Sequence, residues 1–142
     1  MDLKKYSFKS NYEAQQAFRL MENGIKFEYE AFSIPYEQPV RSGECKNCGD
    51  TVVVKHRVYT PDFYFPDHGI IVETKGKFDA PGRGIIENVI NSEAGNIDLR
   101  MVFMRDNYLT KRKSMTYSRW CEIRGIQHAI GDIPLEWFET EE

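Results

Sequence analysis

Residues 59–77 read YTPDFYFPDHGIIVETKGK, and they constrain the fold more than any other stretch of the chain. An aromatic run, Phe63-Tyr64-Phe65, meets the turn formers Pro66-Asp67-His68-Gly69, and a second apolar run then ends in Glu73-Thr74-Lys75. Two β-forming runs joined by turn residues predict a hairpin. Side chains alternate along a strand, so Glu73 and Lys75 share a face with Ile71, while Ile70, Val72 and Thr74 take the other. An acid and a lysine closing an apolar strand are expensive to place without a task. Asp62, at the head of the partner strand, brings a second carboxylate within reach. Two carboxylates and a backbone carbonyl suit a hard cation such as Mg²⁺, which can activate water and neutralise phosphodiester charge. Lys75 would then orient the attacking water or steady the developing charge. The alternative is a plain hairpin with a solvated Glu-Lys pair at its end.

Around this hairpin the remaining signals give one domain over residues 1–142. The 41% hydrophobic and 13% aromatic content suits a folded core. Residues 10–23 predict a helix with Ala14, Phe18, Met21 and then Ile25 on one face, and Asn23-Gly24 ends it. Ser10 and Glu13 form a capping-box pattern, with metal ligation as the other use for Glu13. Residues 25–34 alternate and predict a strand, and Pro35 and Pro39 then predict an extended connector. A loop over residues 78–84 is followed by a helix to about Glu93, stopped by Gly95, with Asp79 to cap it and Pro81 in its first turn. Residues 98–104 predict a buried strand. Strand, helix and strand in series favour a parallel crossover, so the sheet is expected to be mixed. Residues 116–124 predict a further helix, and residues 133–138 one closing helical turn.

Charge and cysteines bound the function. No apolar run is long enough to span a membrane, and no secretory leader opens the sequence. Three cysteines, an odd number, favour a reducing, cytoplasmic setting. The net charge of −3 weighs mildly against a nucleic-acid partner. A carboxylate-rich site and the acidic end Glu139, Glu141 and Glu142 can nonetheless mask a local basic face. Candidate phosphate contacts are Lys4, Lys5 and Lys9 in the N-terminal arm, Lys77, Arg83, and the loop residues Lys111, Arg112 and Lys113. Inside a CxxC-containing insertion at about 40–58, Cys45 and Cys48 form half of a zinc knuckle, and His56 is a candidate third ligand. Cys121, His68, His128, a water or a second copy's CxxC pair would complete the site. Otherwise this is a hairpin tip with two free thiols.

The chain resembles the phage endonuclease I family of Holliday-junction resolvases, a branch of the PD-(D/E)xK nuclease superfamily. FKSNYEAQQAFRLMENGIKFEYE resembles the family's first helix and strand, YTPDF with GIIVETKG its catalytic core, DLRMVF its next strand, and TYSRWCEIRGI with IPLEWF its C-terminal end. The resemblance implies a restriction-endonuclease-like α/β fold, a mixed central sheet flanked by helices, and a segment-swapped homodimer in which Glu13 can complete the partner's site. It implies metal-dependent hydrolysis of branched double-stranded DNA, leaving a 5′-phosphate, by Glu13, Asp62, Glu73 and Lys75. Mg²⁺ or Mn²⁺ would be held by Glu13, Asp62, Glu73 and the Thr74 carbonyl, with Asp62 between two ions roughly 4 Å apart. A phage enzyme would act in the host cytoplasm. The chain departs from the family pattern in the longer CxxC-bearing stretch and in its acidic end. Two other readings stay open: a restriction-like or repair nuclease on unbranched duplex, and a zinc-braced DNA-binding protein that does not cut.

Overall fold

The computed structural model describes residues 7–41, 52–93 and 96–139. Cys45, Cys48, Lys4, Lys5 and the Gly95 helix stop lie outside these residues. The elements run α1 (Asn11–Glu22), β1 (Glu28–Tyr29), β2 (Ile34–Arg41), β3 (Val52–Tyr59), β4 (Phe63–Phe65), β5 (Ile70–Lys75), α2 (Ala80–Glu93), β6 (Asp98–Phe103), α3 (Tyr117–Ile123) and β7 (His128–Ile130). A 3-10 turn, Leu135–Phe138, closes the chain where a single helical turn is expected.

The five-stranded sheet has the order β1-β4-β5-β6-β7. β4 pairs antiparallel with β1 and β5, whereas β6 runs parallel to β5 and to β7. The sheet is therefore mixed, as the strand-helix-strand order around α2 requires. Its faces carry separate cores, following the two-residue alternation of the strands. Ile70, Val72 and Val102 pack with Ala17 and Leu20 of α1, and with Phe27, Phe63 and Phe65. Ile71, Met101 and Phe103 pack with Ile86 and Val89 of α2 and with Tyr117 and Trp120 of α3. The fold is α/β, with helices on both faces of one sheet.

The hairpin of residues 59–77 forms as expected. Phe63 stands opposite Val72 and Phe65 opposite Ile70. Gly69, at φ +67°, closes the turn in a conformation that side chains disfavour. α3 falls within the expected residues 116–124, whose first and last residues are its caps, the Thr116 hydroxyl accepting from the Arg119 N–H.

Four expectations are corrected. The buried face of α1 holds Tyr12, Glu13, Gln16, Ala17 and Leu20, while Phe18 is 51% exposed. Glu13 and Gln16 find partners inside, so the helix turns a partly polar face inward, against its hydrophobic period. The strand over residues 25–34 breaks after Tyr29, because Glu30 takes a left-handed backbone at φ +48°. The proline-bearing connector is the strand β2, paired along its length with β3, with Pro35 opposite Val58 and Pro39 opposite Val54. The Glu37 N–H points away from β3 and donates to Ser92 Oγ of α2 at 2.9 Å. Pro35 and Pro39 share that outward parity, so neither removes a ladder bond. Lastly, the loop over residues 78–84 is shorter than expected. α2 starts at Ala80, with Asp79 Oδ1 accepting from the Gly82 N–H at 2.9 Å. β7 was not anticipated at all; it is three residues long and joins the edge of β6.

Candidate active site

The three carboxylates singled out in the sequence gather around Asp62. Glu13 comes from the first turn of α1, Asp62 from just before β4, and Glu73 from near the end of β5. Asp62 is 1% exposed, and Glu13 and Glu73 are each 5% exposed. Acids buried to this degree must be held by donors and by opposite charge.

Each acid has its own donors. Asp62 Oδ2 accepts from the Thr74 N–H and from the Thr74 hydroxyl, both at 2.9 Å. Asp62 Oδ1 has no hydrogen bond; it lies 3.1 Å from the Lys9 ammonium. Glu73 Oε1 accepts from the Tyr59 hydroxyl at 2.7 Å and from the Asp62 N–H at 3.3 Å, while Oε2 lies 3.2 Å from Lys75 Nζ. Glu13 Oε2 accepts from the Tyr29 hydroxyl at 2.7 Å and from the Lys9 N–H at 3.1 Å. The capping box is thus only half made. Ser10 Oγ accepts from the Glu13 N–H at 3.2 Å, but the Glu13 carboxylate turns into the site.

Electrostatics follow from this crowding. Burial, reinforced by the Asp62 charge, raises the Glu73 pKa to about 7 against the pull of Lys75 and Tyr59. Burial and Asp62 also raise Glu13, opposed by Tyr29 and Lys9. The Tyr59 hydroxyl is driven well above its ordinary value by burial and the Glu73 charge, so it stays a donor. Burial disfavours the charge on Lys9, yet Asp62, Glu30 and Glu13 outweigh it and hold Lys9 protonated.

The donor set fits a hard cation, although among the described residues no three acids, histidines or cysteines already converge as a cage. All candidate ligands are oxygens, and Asp62 Oδ1 is buried without a hydrogen bond. The Thr74 carbonyl is also well aimed. The Lys75 carbonyl accepts from the Met104 N–H at 3.0 Å, toward β6. Strand carbonyls alternate in direction, so that of Thr74 points to the opposite side, where its own N–H meets Asp62.

The other expected contacts are dispersed. Lys9, read as part of a loose arm, is bound into the site through Asp62 and Glu30. Lys77, Lys111, Arg112 and Lys113 are exposed. Arg83 donates to the Phe78 carbonyl at 2.7 Å. His56 is exposed on β3. The proposed fourth zinc ligands have other attachments. Cys121 is buried in the α3 core, its thiol pushed up to about 12 by burial. His68 lies 3.0 Å from the Phe138 carbonyl, and His128 lies 3.2 Å from that of Ile126.

Tyr29, Tyr59 and Glu30 were not singled out in the sequence, though they hold the site together. A usable signal existed for the tyrosines. A tyrosine at an inward strand position needs a partner for its hydroxyl, and the partners here are the two acids.

Among the described residues no helix is long and apolar enough to cross a membrane. The family model for phage endonuclease I matches residues 2–142. The chain is 34% identical to Endonuclease I of Escherichia phage T7 over 134 residues, covering 94% of this chain and 79% of that protein. It is also 34% identical to Endodeoxyribonuclease 1 of Enterobacteria phage T3 over 130 residues, covering 91% of this chain and 75% of that one. Together with the mixed α/β fold and a buried acidic site closed by a lysine, these matches place the chain in the phage endonuclease I family, as a nuclease.

Proposed function

We propose that the chain is a structure-selective endonuclease that resolves four-way and other branched DNA junctions by Mg²⁺- or Mn²⁺-dependent phosphodiester hydrolysis. It would act as a homodimer in the cytoplasm of the host cell. The observation that carries the reading is the burial of three acids, with Glu13 and Glu73 each in electrostatic reach of Asp62 and Lys75 paired to Glu73. Asp62, Glu73, Glu13 and the Thr74 carbonyl would hold a hard cation, which would supply Lewis acidity toward the phosphoryl oxygen and the attacking water.

The protein's own part is positioning. Thr74 clamps one oxygen of Asp62 with two hydrogen bonds and leaves the other free of them. Tyr59 and the Asp62 N–H fix Glu73 Oε1, which keeps Oε2 turned toward Lys75. Lys75, whose side chain is 30% exposed, can donate from its ammonium to the attacking water and to the oxygen on which charge develops. A two-fold dimer presents two such sites, which matches a substrate cut on two strands. Selection of a junction would rest on phosphate positions and duplex shape, not on base edges.

A labelled, immobile four-way junction incubated with Mg²⁺, beside a linear duplex of the same sequence, tests the reading. Paired nicks on opposing strands of the junction alone are expected. Glu73→Ala and Lys75→Ala should lose cleavage but keep junction binding. Cleavage retained in both variants would refute the assigned site. Equal cutting of both substrates would leave a nuclease without junction preference.

A further inference from the structure

Lys9 touches the site twice. Its N–H reaches Glu13 Oε2 and Tyr29 Oη, both at 3.1 Å, and so anchors the backbone beside α1. Its ammonium lies 3.1 Å from Asp62 Oδ1 and 3.1 Å from Glu30 Oε1. The two acids are unequal: the Asp62 side chain is 2% exposed and that of Glu30 is 34% exposed. Burying Asp62 as an anion needs a nearby positive charge, and Lys9 supplies it on the one oxygen that has no hydrogen bond.

Glu30 is there at a conformational cost. It is one of two non-glycine residues at positive φ among the described residues, at +48°. Its N–H, donating to the Asp62 carbonyl at 3.0 Å, holds it in place. The strained residue carries a second, more exposed carboxylate to the same ammonium.

We propose that Lys9 is an internal counter-cation for the metal site. It neutralises Asp62, yields Oδ1 to an incoming divalent cation, and is then retained by Glu30. This rests on the reading of Asp62 as a metal ligand. A cation bonded to Oδ1 at roughly 2.1 Å would stand beside the ammonium, and the two positive charges repel, with solvent at the 57% exposed Lys9 side chain screening part of the repulsion. Lys9 and the metal therefore compete for one oxygen, and Glu30 lowers the cost of the exchange.

Calorimetric titration of Mn²⁺ into the full chain, without DNA, tests this. Lys9→Met should bind Mn²⁺ roughly fivefold more tightly than the unaltered protein. Binding that is equal or weaker overturns the proposal. Glu30→Gln keeps Lys9 in place, and its own weakening of Mn²⁺ binding is read without the lysine variant; an absence of loss overturns the transfer to Glu30. It should weaken Mn²⁺ binding more with Lys9 present than in the Lys9→Met background; an equal loss in both overturns the transfer to Glu30. Thermal unfolding gives a second readout, in which Mn²⁺ should raise the melting temperature of Lys9→Met by more degrees than that of the unaltered chain. Asp62→Asn separates the two readings. If it abolishes Mn²⁺ binding, Asp62 is a ligand and the other results bear on Lys9 alone. If it binds Mn²⁺ normally, both readings fall.

Discussion

Replacing Glu73 by glutamine should stabilise the metal-free protein at alkaline pH while abolishing cleavage. Burial and the Asp62 charge raise the Glu73 pKa from an ordinary 4.5 to about 7. Ionising this carboxyl is therefore harder in the folded protein than in the unfolded chain, by about 3 kcal/mol at ~1.4 kcal/mol per factor of ten. The sign follows: below about pH 4.5 both states are protonated and there is no penalty. Between that pH and about 7 the folded state loses stability progressively, and above 7 the loss is complete. Glutamine keeps an oxygen for Tyr59 but never ionises. It gives up the ion pair with Lys75, whose opposing influence is already included in the raised value. Thermal unfolding in EDTA at a series of pH values measures the effect. Near pH 5 the two proteins should be similar, and at pH 8 the variant should melt roughly 8–12 °C higher. Some decline remains in the variant, because Glu13 is raised in the same direction. Parallel pH curves for the two proteins would refute the reasoning.

Two further outcomes can be measured separately. Tyr59→Phe removes the hydroxyl that favours ionised Glu73, so the acid limb of junction cleavage at sub-saturating Mg²⁺ should move up by about one pH unit; an unmoved limb would assign Tyr59 to packing. Gln16→Leu leaves the Ile133 N–H without its acceptor at 2.8 Å and removes the amide that donates to Asp132, leaving Asp132 only Arg19 at 3.7 Å on α1, so thermal unfolding should show a loss of about 2 kcal/mol, or roughly 5 °C.

The sequence was most legible where one rule acted alone. The turn at Pro66–Gly69 joined strands of the expected length, and Asp79 took the capping role its side chain suggests. It misled where a distant partner overruled the local pattern. The inward face of α1 is set by Gln16 reaching Ile133 and Asp132, more than a hundred residues away, and by Glu13 reaching Tyr29. Phe18 is displaced outward as a result. β7 exists because the edge of β6 offers it a parallel ladder; three residues carry no periodicity of their own. At the site, the acid-x-Lys string announced Glu73 and Lys75. Nothing local announced Lys9, which reaches Asp62 across fifty-three positions of sequence. With Lys4 and Lys5 a few residues before it, it read as part of a basic arm.

The prolines of β2 have a consequence for how this surface meets other chains. A free strand edge recruits another strand through a row of N–H donors. Along the outer edge of β2, positions 35 and 39 have no donor, and the one between them, at Glu37, is already spent on Ser92. Over positions 35–39 that border gives an incoming strand carbonyl acceptors but no free N–H donor, which disfavours β-augmentation there. The hairpin can therefore stay long and carry exposed Val54 and Val58 without offering β2 as a template. A partner approaching it meets the β3 border or the flat of the ribbon, where contact depends on side chains and thus on sequence.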